Sequence, residues 1–265
     1  MSRYLTLLFL VIGLTACAVR YPVLPKQTVT ENELQKIVAA VSKKSAEVFS
    51  LKALSKTRLS YKKDRMVLKH AISALRPKML RVDTLPQMGA FTLGILVATD
   101  EGVIFLDPSA KEVLRSRDEA LLIEKTLGIP LTANEIFAYV TARVPNDLLK
   151  AGSNSASIKG YRDDNGDYIL VWENFRYYWK IGANDLLLKE FQSYDRFNGK
   201  LSLVITYDGD LKSEDIPLKR NVHIAFPRKG VTVQLLFSTL VANGEIPTSR
   251  FEVIIPDDYK VREVS

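Results

Sequence analysis

Few groups in this chain suit covalent or metal chemistry. In 265 residues there is one cysteine, Cys17, two histidines, His70 and His223, and one dense acidic run, Asp163-Asp164-Asn165-Gly166-Asp167. A single thiol rules out a disulfide framework and a thiolate-rich zinc centre. Two imidazoles so far apart argue against a histidine-based metal site. The acidic run has the composition of a calcium loop, but the twelfth position counted from Asp163 is Asn174, where a bidentate Glu is required. A hairpin turn is the better reading. His70 has Leu68 and Ile72 two residues to either side and reads as a core histidine, whereas His223, between Val222 and Ile224, faces the other way, toward the surface. No nucleophile elbow, phosphate-binding loop, dinucleotide fingerprint or zinc-protease helix motif occurs. No enzyme activity, metal or cofactor is therefore expected.

The one thiol sits at a different kind of site. Arg3 precedes an apolar run from Tyr4 to Gly13 that closes on Leu14-Thr15-Ala16-Cys17. A charged start, a short apolar stretch and small residues before a cut describe an export signal rather than a membrane span. Leu-Thr-Ala-Cys resembles the lipobox of bacterial lipoproteins, which implies that residues 1–16 are removed and that Cys17 becomes the acylated first residue. Several acyl chains on one residue anchor a protein firmly. Residues 17–30, with two prolines, read as a tether, and Ala18 in place of Asp implies delivery to the outer membrane, facing the periplasm. Export excludes nucleic acid as a partner.

Three helices and a long series of strands must position whatever the exported chain binds. Thr30-x-x-Glu33, Ser116-x-x-Glu119 and Thr132-x-x-Glu135 are each spaced as capping boxes. The first helix carries Leu34, Ile37, Val38 and Val41 on one face; the second runs from about Asp118 to Leu127 and stops at Gly128; the third shows Ile136, Phe137, Val140 and Val144 before Pro145. Elsewhere the pattern alternates with period two. Leu51, Ala53, Ser55, Thr57, Leu59 and Tyr61 share one face, and after a Lys63-Asp64 turn Met66, Leu68, His70, Ile72 and Ala74 continue it. Further strands are expected near 78–85, 90–99, 102–107, 157–163, 167–173, 175–182, 186–194, 200–207, 216–226, 231–239 and 249–255. Short loops between them favour an antiparallel meander, and twist curls so many strands toward a barrel or half-barrel. The helices cover one mouth or face, residues 31–265 form a single domain, and small inner residues such as Ala53 and Gly94 leave room for a cavity.

The charge is uneven. Ten basic residues between Lys52 and Arg81 are opposed only by Asp64. Lys52, Lys56, Arg58 and Lys62 among them are candidates for contact with anionic headgroups; a solvated face that blunts edge pairing is the competing reading. Residues 83–90 link two strands through Leu85-Pro86-Gln87-Met88, an apolar tip where polar turn residues are usual, so it either dips into a bilayer or folds back onto the sheet. Trp172, Tyr177 and Trp179 pack in the core or line a hydrophobic interior.

Over residues 50–150 this layout resembles the LolA/LolB-like family of the lipoprotein localisation pathway. The similarity is carried by Phe91-Thr-Leu-Gly-Ile-Leu-Val, Gly102-Val-Ile-Phe-Leu-Asp, Leu127-Gly-Ile-Pro-Leu131 and Ile136-Phe-Ala-Tyr-Val-Thr-Ala-Arg-Val-Pro145. It implies a mainly β fold, an unclosed antiparallel β-barrel with a three-helix lid and an apolar cavity for acyl chains. Leu85, Met88, Phe91, Phe105, Ile136, Phe137, Val140, Trp172, Tyr177 and Trp179 are then the candidates for the cavity or a membrane-entering loop. The family's protruding loop corresponds to 83–90, where either Leu85 or Met88 takes the exposed position. The implied partners are lipid acyl chains or lipoproteins, a membrane reached through Cys17, and a periplasmic carrier protein. The rival expectations are a non-catalytic scaffold of an envelope assembly complex and a hydrolase using Asp163, Asp167 and Glu173, whose spacing suits a turn better.

Overall fold

A computed structural model describes residues 22–88, 91–149, 158–172 and 176–265. Cys17 and the export signal lie outside these residues, as do Gly89, Ala90 and Glu173.

Helix α1 (Glu31–Ala46) begins where expected: the Thr30 hydroxyl accepts the Glu33 amide, and Leu34, Ile37 and Val41 are buried. Helix α2 (Glu119–Leu127) ends at Gly128, whose φ of 73° is the left-handed cap that glycine adopts without strain. Helix α3 (Ala133–Val140) has the full reciprocal box between Thr132 and Glu135. Two details differ from expectation. The α2 cap is Asp118, whose carboxylate accepts the Leu121 amide, while the Ser116 hydroxyl donates to the Val264 carbonyl. Val144 lies beyond the end of α3, although it is buried.

The strands are β1 (Gln27–Thr28), β2 (Ser50–Tyr61), β3 (Asp64–Leu75), β4 (Met79–Pro86), β5 (Gly94–Thr99), β6 (Gly102–Asp107), β7 (Glu112–Ser116), β8 (Lys159–Arg162), β9 (Tyr168–Trp172), β10 (Tyr177–Ile181), β11 (Leu188–Tyr194), β12 (Leu201–Ser213), β13 (Ile216–Phe226), β14 (Val231–Ala242) and β15 (Lys260–Glu263). They form one sheet in the order β1-β8-β9-β10-β11-β12-β13-β14-β2-β3-β4-β5-β6-β7-β15. The sheet is open, with β1 and β15 at its edges. Pairing is antiparallel apart from β15, which runs parallel to β7. The β2–β3 turn is Lys62-Lys63 rather than Lys63-Asp64, since Tyr61 pairs with Asp64. The expected strand at 249–255 is instead a 3-10 turn, Thr248–Phe251, followed by irregular chain. β1, β7 and β15 were not anticipated.

Curvature follows from the helix contacts. α2 packs on β6 and β7, near one edge. In α3, only a short link away, Tyr139 stacks on Phe191 of β11, toward the other edge, with ring centroids 4.7 Å apart. One helix pair can touch both regions only if the sheet bends around it. The main core joins inner-face residues of β2–β6 and β9–β14 to all three helices. A smaller cluster, Val97, Ile246 and Phe251, lies on the opposite face, where the segment after β14 crosses β4 and β5. There Asp83 of β4 bonds the Arg81 and Arg250 side chains, and Arg81 donates to the Arg250 and Glu252 carbonyls.

Candidate functional site, an apolar cavity under the helices

Between the inner face of β2–β6, β13 and β14 and the helix pair α2–α3 lies a cavity of about 300 Å³. Alternation puts Thr57, Ile72, Val82, Val222 and Leu235 on the sheet wall. Leu127 at the end of α2, Ile129 and Leu131 of the interhelix link, and Ile136 and Val140 of α3 make the opposite wall. Gly94 has a structural reason: a Cβ there would come within 2.9 Å of the Phe105 ring, so its absence leaves room for that ring at the cavity wall.

The helix pair is fixed by polar contacts at its ends. The half-buried Glu119 carboxylate accepts the Ala133 amide at the start of α3, and desolvation raises its pKa. Glu124 of α2 pairs with Lys229 in the β13–β14 turn. Arg143, just past α3, is buried without a carboxylate partner among the described residues. Instead it donates to the Thr141, Lys44 and Pro217 carbonyls, tying α1 and β13 to the end of α3. Desolvation lowers its pKa to about 10.

The wall carries no charge at neutral pH. His70 lies beside Thr57, with Nδ1 2.6 Å from the hydroxyl oxygen, and burial pushes its pKa down to about 4. The Tyr139 phenol, wholly buried, is pushed up. The surface so formed is neutral and mostly apolar at pH 7. It can exclude water from hydrocarbon.

Of the residues singled out in the sequence, Phe105, Ile136 and Val140 line this cavity. Phe137 does not: it is buried on the other side of α3, beneath the Arg76 guanidinium at 4.8 Å. Trp172, Tyr177 and Trp179 do not line it either. They stack with one another and with Phe191 at 5.2–6.5 Å behind Tyr139, filling the sheet interior next to the cavity. Leu85 is half-buried and outside the wall, whereas Met88 is 85% and Phe91 62% exposed. Lys52, Lys56 and Arg58 project from the outer face of β2, and Lys56 sits directly opposite Lys69 of β3. Lys62 occupies the turn with its ammonium 5.1 Å from the Tyr61 ring centre. The Asp163 run forms the expected turn, its carboxylate accepting the Asn165 and Asp167 amides, and His223 on the outer face bonds Asp208. Missed as cavity residues were the β13 and β14 positions Val222, Ile224, Val233 and Leu235, although their alternation marked the inner face.

Solved structures share this architecture at low identity. A DUF1329 family protein from Desulfovibrio piger matches with a TM-score of 0.56 at 12% identity, over 81% of this chain and 97% of that one. A putative outer membrane lipoprotein-sorting protein domain from Vibrio parahaemolyticus gives 0.54 at 12%, over 82% and 96%. A LolA superfamily protein from Nitrosomonas europaea gives 0.54 at 10%, over 82% and 97%. The fold is LolA-like. No family model and no curated protein sequence matches the chain. In this LolA-like frame the open sheet supplies one cavity wall and α2–α3 the other, so the cavity takes its shape from how the helix pair seats on the sheet.

Proposed function

We propose that the chain is a binding protein, not an enzyme: a periplasm-facing lipoprotein, anchored in the outer membrane through Cys17, that holds acyl chains in its cavity and passes lipids or lipoproteins on. The observation that carries this reading is the neutral, apolar cavity between sheet and helices. At about 30 Å³ per methylene, taken equal to the liquid volume of a water, 300 Å³ holds on the order of ten methylenes. At about 0.8 kcal/mol each, their transfer from water contributes about 8 kcal/mol before the cost of ordering the tail.

Two surface features support contact with a bilayer. Met88 and Phe91 stand out from the β4–β5 loop, and large exposed apolar side chains in one loop suit insertion between headgroups. Lys52, Lys56, Arg58 and Lys62 make no ion pair with a carboxylate among the described residues, and each basic group near an anionic surface contributes about 1 kcal/mol. The shared fold with a Vibrio domain named for lipoprotein sorting agrees with the reading. Native mass spectrometry of the full-length lipoprotein purified from membranes tests it. Lipid-sized adducts, lost when the cavity is filled by substitution, are expected; a stable protein partner and no lipid adduct would favour a scaffold instead.

A further inference from the structure

We propose that the cavity's ligand is an anionic amphiphile held tail-inward, its charged head resting on a basic rim made by Lys62, Lys63 and Lys125. This rests on the acyl-binding reading and adds to it the charge and orientation of what is bound.

A gradient of burial locates the mouth. Along β2, Thr57 is buried, Leu59 half-buried and Tyr61 exposed; along β3, Ile72 is buried, Leu68 half-buried and Met66 53% exposed. Met66, Leu93, Leu127 and Ile129 therefore surround the opening, and Ile72, Val82, Val140 and Val222 its deep end. The β2–β3 turn, the β4–β5 loop, the end of α2 and the β13–β14 turn all meet at this mouth. Lys62 N–H donates to the Gly230 carbonyl, and Lys229 reaches Glu124.

The interior offers a charged head nothing. Its titratable groups, His70 and Tyr139, are both neutral at pH 7. Burying an ionised group without a partner costs far more than ten methylenes return, so the head stays outside.

The rim is different. Lys62 and Lys63 form the β2–β3 turn, and Lys125 precedes Thr126 and Leu127 of the wall; Arg65, opposite Ser60, turns to the outer face and takes no part. All three are exposed, and none has a carboxylate partner among the described residues. The acids at this end are fewer or occupied: Asp64 opens β3 beside the turn, Glu124 is held by Lys229, and Asp195 by Arg228. A surplus of free cations around an uncharged, greasy opening is complementary to an anion on a hydrocarbon tail.

Three pyrene-labelled probes of one chain length, an alkyl sulfate, the alcohol and the trimethylammonium, test this with the full chain. Binding is read by energy transfer from Trp172 and Trp179. Each rim cation is expected to strengthen binding of the sulfate by about fivefold. The sulfate should therefore bind at least about tenfold tighter than the alcohol, the trimethylammonium should bind weakest, and salt should narrow the gap. Substituting Lys63→Glu and Lys125→Glu together, both on the surface, should abolish or invert the order. Equal affinity for the three probes would overturn the inference and leave acyl binding intact. Failure of all three to bind would overturn the acyl-binding reading itself, and this one with it.

Discussion

Filling the cavity from α3 separates a binding pocket from incidental space. Ile136 is half-buried and lines the wall without contributing to a helix cap. In Ile136→Trp the indole adds about six heavy atoms, directed into room for on the order of ten methylenes. A tail excluded from that space loses about six methylenes at about 0.8 kcal/mol each, close to 5 kcal/mol. If the tail recovers half of that by lying in the mouth, about 2.5 kcal/mol remains, about sixtyfold in affinity. Overpacking a filled core would instead cost about 1–3 kcal/mol of stability; here the space is empty, so the melting temperature should hold or rise. The assay is displacement of a pyrene-labelled acyl probe, alongside thermal unfolding of the same samples. A folded variant that binds within threefold of the parent would refute the claim that tails occupy this cavity.

Other consequences concern how the cavity is built. His70 titrates near 4 in the folded protein and near its usual 6.5 unfolded. The unfolded chain thus binds more protons between these values, and stability present above pH 6.5 is lost as the pH falls toward 4. The loss is about 3 kcal/mol at most; urea unfolding across this range should show that slope, and His70→Leu should flatten it. Gly94→Ala places a methyl 2.9 Å from the Phe105 ring, which must shift into the cavity. Chemical denaturation should register a cost of about 1–3 kcal/mol, with weaker probe binding. The Glu124–Lys229 pair is half-exposed, so Glu124→Gln should change stability by no more than about 1 kcal/mol. It releases α2 from the β13–β14 turn, and stopped-flow uptake of the probe should quicken.

The features legible in the sequence were local ones. The β2–β3 hairpin was visible because Leu51 through Leu59 alternate with lysines and arginine, and its burial follows that alternation. Gly128 and the Thr132–Glu135 box marked helix ends through chemistry that acts over four residues. What failed depended on distant chain. Ser116 has cap chemistry but is drawn to Val264, brought alongside by β15. Phe251 and Val253 alternate as in a strand, yet the carbonyls of Arg250 and Glu252 are taken by the Arg81 side chain rather than by a ladder. The cavity shows the same limit. Trp179 is a candidate for the core or the interior lining and Leu235 lies in the strand expected at 231–239, but alternation does not tell which stretch of the inner face other side chains fill. Trp179 lands in the aromatic stack and Leu235 on open space.

The central claim is that hydrocarbon occupies the space between α3 and the sheet. An acyl probe carrying a photoreactive diazirine near its methyl end, bound to the full chain and activated, reports where the tail ends. The account predicts adducts on deep wall residues such as Ile136, Val140, Val222 and Leu235. Labelling confined to the outer face of the sheet, or to the exposed Met88 and Phe91, would contradict it.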